Sequence, residues 1–150
     1  MQTKTRLAIA GLMAVTALSA QAESKKEKAV EYREGVFAAM GWNFKPIVDM
    51  VKGKIDYDAD ELAMRAERVS QLASMPWEGF IEGTHNIRMT DAKEKIWSNM
   101  DDFRDLADKL ERKTKALADA TPADSPADIK KEVMAVGKTC ESCHDEYKKD

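Results

Sequence analysis

Cysteine is scarce in this chain, and so are histidine, proline and aromatic residues. Two cysteines stand three positions apart, so no disulfide framework can staple the fold, and a zinc site would need a second pair of ligands, toward which the chain offers one histidine, His85, outside the cysteine-bearing segment. Four prolines and the lack of any valine- or isoleucine-rich alternation leave no convincing strand. No apolar run reaches the roughly 20 residues that span a bilayer. Basic charge is in deficit as well: 24 lysines and arginines face 27 acidic residues, which argues against nucleic acid as a partner.

What is present begins with an export signal. Lys4 and Arg6 precede an apolar or small stretch from Leu7 to Leu18, and Ala20-Gln21-Ala22 offers a small-x-small cleavage site. Residues 1–22 therefore read as a signal peptide and 23–150 as one mature domain, soluble in the periplasm and free of the membrane. Without Lys4 and Arg6, 22 basic residues face 27 acidic ones, a formal charge of −5.

Apolar residues then recur at helical spacing. A first helix is expected from about Lys25 to Val51, on a stripe of Val30, Phe37, Phe44 and Val51 with Met40 and Ile47 between; Pro46 inside it should kink it or break a hydrogen bond. Asp58 with Glu61 resembles a capping box that opens a second helix ending before Pro76. A long connection from Pro76 to Ala92 follows. Ile96, Phe103, Leu110 and Leu117 mark a third helix, and Ser125-Pro126 caps a fourth that runs almost to the end. The expected fold class is all-α, an antiparallel four-helix bundle.

Cys140-Glu141-Ser142-Cys143-His144 is the C-x-x-C-H pattern of covalent haem attachment, in which two thiols add to the haem vinyl groups and the histidine binds iron. A thioredoxin-like redox pair would need a preceding strand. On a helix, Cys140 and Cys143 share the stripe of Ile129, Val133, Val136 and Tyr147, and His144 lies four residues past Cys140, on the face committed to the haem. The expected cofactor is one haem c per chain, with His144 as axial ligand. For the other side of the iron the residues offer Met40, which packing on its stripe would equally explain, and His85, which would equally suit a solvated loop.

The chain resembles the cytochromes c′ and their low-spin class II relatives over essentially the whole mature length. The resemblance rests on the C-terminal haem motif, Tyr32-Arg33, Lys52-Gly53 with Tyr57-Asp58, Pro76-Trp77, Gly83-Thr84 and Ile96-Trp97. It places Phe37 at the family's distal position on the first helix, where low-spin members have methionine, and so implies a five-coordinate, high-spin haem under an apolar lid. It implies Arg33 as a haem propionate partner, although an arginine at this position could also snorkel to the surface. It places Lys148 beside the proximal face, and Glu34, Asp91 and Glu94 as further haem contacts. A homodimer through the first two helices is implied too, as are electron exchange with periplasmic redox proteins or binding of nitric oxide and carbon monoxide. A peroxidase would need a distal acid-base group that phenylalanine does not supply, so no enzyme is expected.

Overall fold

The computed structural model describes residues 4–87, 90–121, 123 and 125–149, with side chains from residue 25 onward. Helix α1 runs Lys4–Val51, α2 Ala59–Ala73, α3 Lys95–Ser98, α4 Met100–Asp119 and α5 Pro126–Tyr147, with 3-10 turns at Pro76–Gly79 and Thr84–Asn86. The four long helices form an antiparallel bundle in which α1 packs on α2 and α5, and α4 packs on the same two. Among the described residues the only extended pairing is an isolated antiparallel bridge between Ala92 and Lys148. Also among them, no helix is long and apolar enough to cross a membrane. The side chains of the expected export signal, residues 1–22, lie outside the described set.

Helix α1 is longer than its apolar stripe, since its backbone is helical from Lys4. Pro46 lies within it and does not end it. A proline costs a helix interior about 3 kcal/mol, and the burial of Ile47 and Met50 just beyond it holds the helix together. The stripe divides into two edges. Val36, Met40, Ile47 and Met50 enter the main core, whereas Phe37 and Phe44 are only half-buried and border a cavity. Gly53, at φ 67°, then supplies the left-handed residue that ends the helix.

The capping box before α2 is half formed: Asp58 accepts the Glu61 amide at 2.9 Å, while the Glu61 carboxylate turns to Arg65 at 2.7 Å. The third expected helix is two pieces, α3 and α4, separated at Asn99 (φ −130°, ψ 45°). Hydrogen bonds still cross the break, from the Asn99 amide to the Lys95 carbonyl and from the Phe103 amide to the Asn99 carbonyl, both at 3.0 Å, so the apolar phase survives it. Ser125 occupies the position before α5, with Pro126 first in the helix, yet its hydroxyl donates to the Asp128 carboxylate at 2.8 Å instead of capping an amide. The turn expected over Thr121 to Pro126 includes Pro122 and Asp124, which lie outside the described residues.

Two apolar clusters fill the bundle. The larger joins α1, α2, α4 and α5 around Ile47, Leu62, Leu117 and Ile129. The smaller, of Ile96, Phe103 and Tyr147, lies under the long connection. Between them opens the cavity that carries the chemistry.

Candidate haem site

The cavity has a volume of about 530 Å³ and takes its walls from α1, the first 3-10 turn, residues 90–92, α4 and α5. That is the size of a pocket for a substantial organic group. Helix α5 contributes Cys140, Cys143 and His144, so the three residues of the motif open onto one space. They do so because spacings of three and four residues fall on one helical face.

Both cysteines are free and half-buried. Burial pushes the Cys140 thiol up, and it pushes Cys143 up to about 11, aided by Cys140 and Asp102. Thiols held neutral in this way are poor thiolate nucleophiles, contrary to the requirement of a thioredoxin-like pair. His144 is moved the other way: burial, then the Lys148 ammonium, lowers its pKa against the opposing pull of Asp145. The imidazole is thereby kept in the neutral form that binds a metal.

Opposite α5, Phe37 and Met40 of α1 line the cavity. Phe37 meets Trp77 edge to face at 5.8 Å and Phe80 at 6.3 Å, and Phe80 packs on Phe103 at 4.8 Å. The result is an aromatic wall. Met40 is buried in the main core as well as bordering the cavity, so it serves packing whatever else it does.

Arg33 does not reach the surface. It is only 2% exposed, and the snorkelling alternative is set aside. Its Nη1 donates to the Gly79 carbonyl at 2.9 Å and to Thr84 Oγ1 at 2.7 Å, and its Nη2 to Thr90 Oγ1 at 2.6 Å. Its guanidinium carbon lies 4.4 Å from the centroid of the Phe80 ring. All three acceptors are uncharged, and none of the ion pairs among the described residues includes Arg33. Burial lowers its pKa. Glu34 opposes that shift from a distance, but a buried cation whose hydrogen-bond acceptors are all neutral, bordering a cavity, is stabilised further by an anion brought into that cavity.

Glu34, Asp91 and Lys148 also line the cavity. Burial raises the Glu34 carboxyl, with Arg33 opposing and Asp91 adding to the shift. Lys148 Nζ is 3.8 Å from Asp91 Oδ2. Glu94, expected at the haem, stands outside the cavity: its carboxylate is 81% exposed and 3.6 Å from His85 Nε2. The residues of the connection follow no helical register, so nearness to Asp91 in sequence did not carry Glu94 to the site. His85 is likewise absent from the lining. It packs against Trp97 at 5.1 Å with its side chain 16% exposed, so it is not a solvated loop residue.

Sequence reasoning missed Gly79, Thr84, Thr90, Phe80 and Phe103, which hold Arg33 or wall the cavity. Trp77 is a cavity residue whose indole Nε1 is buried with no hydrogen-bond partner among the described residues. A buried guanidinium bonded only to neutral oxygens, an unpartnered indole N–H, an aromatic wall and two neutral thiols together fit a large flat apolar group that carries carboxylates and is bound through sulfur. Haem c is such a group.

The sequence profile of the cytochrome c′ family matches residues 28–148. The chain is 34% identical over 131 residues to cytochrome c′ of Halomonas halodenitrificans, covering 83% of this chain and 98% of that one. The structure of cytochrome c prime from Shewanella frigidimarina superposes with a TM-score of 0.80 at 37% identity, covering 83% of this chain and 97% of the other. A nitric oxide complex of a variant cytochrome c prime from Alcaligenes xylosoxidans superposes at 0.75 with 30% identity, over 83% and 97% of the two chains. Agreement of sequence and fold across almost all of the bundle, meeting at one haem-attachment motif, makes this chain a member of the cytochrome c′ family with haem c as its covalent cofactor.

Proposed function

We propose that the protein is a periplasmic electron carrier with a five-coordinate, high-spin haem. The observation that carries this reading is the aromatic wall of Phe37, Trp77 and Phe80 opposite His144, which offers no strong iron ligand at the family's distal position. When bound, haem supplies a one-electron ferric/ferrous couple and a coordination position left open. Cys140 and Cys143 would hold it through thioethers, and His144, kept neutral by its surroundings, would supply a nitrogen to the iron. Arg33 neutralises a propionate, with Trp77 Nε1 as a second donor, and the buried cation thereby gains the anion it lacks. Phe37 and Phe80 keep water from the distal side. Glu34, Asp91 and Lys148 set the charge at the cavity rim.

A second reading, capture of nitric oxide or carbon monoxide, is favoured by the same wall and by the nitric oxide complex of the Alcaligenes relative. Phe37 would then select ligands by size. If Met40 ligates iron instead, the protein is a low-spin carrier. Export by residues 1–22 and a homodimer through α1 and α2 complete the proposal; Trp42, 77% exposed on α1, and the exposed Met64 on α2 support such a contact.

Absorption spectra of the purified holoprotein, ferric and reduced, with and without carbon monoxide or nitric oxide, test the coordination of the iron. Broad high-spin bands that shift with gas support the open site. Sharp low-spin bands without response would transfer the sixth position to Met40 and end the gas reading.

A further inference from the structure

Lys149 lies beyond α5 and outside the cavity, yet both of its donors are tied to one strand of the connection. Its backbone amide donates to the Asp91 carbonyl at 2.7 Å, and its Nζ donates to the Thr90 carbonyl at 3.2 Å. Beside it Ala92 and Lys148 form the antiparallel bridge, and the Lys93 amide donates to the Tyr147 carbonyl at 2.9 Å. Residues 90–93 are thus docked onto the end of the haem-bearing helix.

Thr90 in turn is committed to Arg33. Its buried hydroxyl accepts from Arg33 Nη2 at 2.6 Å and from the Ala92 amide at 3.2 Å. The other two acceptors of the guanidinium, Gly79 and Thr84, belong to 3-10 turns packed directly on α1. They are held by the helix that carries Arg33. Thr90 is different, because its segment is fastened to the opposite wall of the cavity through Lys149 and its neighbours.

We infer that Lys149 is a positioning residue for the haem site: by fixing residues 90–93 on the end of α5 it keeps Thr90 beneath Arg33, so that the guanidinium stays beside the propionate and holds up the reduction potential. The inference rests on the reading of Arg33 as the propionate partner. A long, rotamer-rich cation needs every acceptor to stay in one place. A fixed positive charge beside the haem disfavours the more positive ferric state and raises the potential, so a cation free to swing away lowers it.

Lys149→Pro in the holoprotein removes the amide donor and the ammonium together. The residue before it is compatible, because Lys148 is extended (φ −107°, ψ 137°), and the ring crowds only the Asp91 carbonyl whose tie is under test. Lys149→Ala removes the ammonium, and with it both its charge and its hydrogen bond to the Thr90 carbonyl, but keeps the amide donor to Asp91, so the difference between the two variants reports the backbone tie. The expected result is a midpoint potential lowered further by Lys149→Pro than by Lys149→Ala, and lowered by Thr90→Val. In the double variant, Lys149→Pro should add nothing to Thr90→Val beyond what Lys149→Ala contributes alone. Thr90→Ser, which keeps the hydroxyl, should return the wild-type potential and serves as well if Thr90→Val does not accumulate. Full additivity of Lys149→Pro with Thr90→Val overturns the proposal, and equal potentials for the proline and alanine variants overturn the part assigned to the backbone tie. Arg33→Leu separates the two levels: if it leaves the potential unmoved, the propionate reading falls and this inference with it, whereas a shift with Arg33→Leu but none with Lys149→Pro sinks the role of Lys149 alone.

Discussion

Arg33 and Gly79 are pressed together at the edge of the cavity: the guanidinium donates to the Gly79 carbonyl at 2.9 Å, and a β-carbon added to Gly79 would lie 2.9 Å from the Arg33 Cβ and 2.8 Å from the Ala29 carbonyl oxygen. Only the absence of a side chain lets the 3-10 turn sit this close to α1. Gly79→Ala is therefore expected to cost about 1–3 kcal/mol through forced displacement of backbone. Urea denaturation of the holoprotein would measure it, and a neutral or stabilising alanine would show that the turn can move away freely.

Phe37→Met places a thioether at the position where the resemblance puts the distal ligand. A low-spin spectrum with a higher midpoint potential is expected, as for methionine ligation in other cytochromes. Phe37→Ala, which only opens space, should keep the high-spin spectrum and speed carbon monoxide binding roughly tenfold, the effect of removing about 1.4 kcal/mol of steric barrier. Stopped-flow mixing reads the rate. An unchanged rate would mean that Phe37 does not stand over the iron.

Tyr147 donates its hydroxyl to the Asp102 carboxylate, and burial first, then that hydrogen bond, pushes its phenol up to about 12 from the ordinary 10.0. Between those values the unfolded chain has released the proton and the folded chain still holds it. The unfolded state then binds fewer protons, so stability falls as pH rises through this window, while below pH 10 the contribution is present in full. Unfolding midpoints of wild type and Tyr147→Phe from pH 9 to pH 12 should diverge in slope, with the flatter curve belonging to phenylalanine.

Asp58 accepts the Glu61 amide at 2.9 Å at the start of α2. Asp58→Ala should cost about 1 kcal/mol and lower the thermal midpoint by a few degrees, since one of four orphan amides loses its partner. Calorimetry at neutral pH checks this, and Asp58→Asn should recover most of the loss.

The bundle and the haem motif were legible because both depend on local periodicity: Ile129, Val133, Val136, Cys140 and Cys143 state their common face by spacing alone. The break at Asn99 was not, because Ile96 and Phe103 keep helical phase across it and a local dihedral change leaves no mark on the pattern. The surroundings of Arg33 were hidden for another reason. Its acceptors stand 46, 51 and 57 positions away, on turns without register, so a charged residue on an apolar stripe could be recognised but not its partners. Glu94, near Asp91 in sequence, faces His85 in the structure, a placement that spacing along an irregular connection does not foretell.

The cavity between the two apolar clusters is also a gap in the centre of the protein. Phe37, Trp77, Phe80 and Phe103 turn apolar faces onto it and find no protein atoms there, so their burial waits on the group that fills it. The chain therefore cannot finish its own interior from amino acids alone. With Cys140→Ala and Cys143→Ala, it is expected to keep helical far-ultraviolet dichroism while binding hydrophobic dyes and losing its sharp unfolding transition. Maturation, on this view, is the last step of folding, and the pigment is the largest side chain in the core.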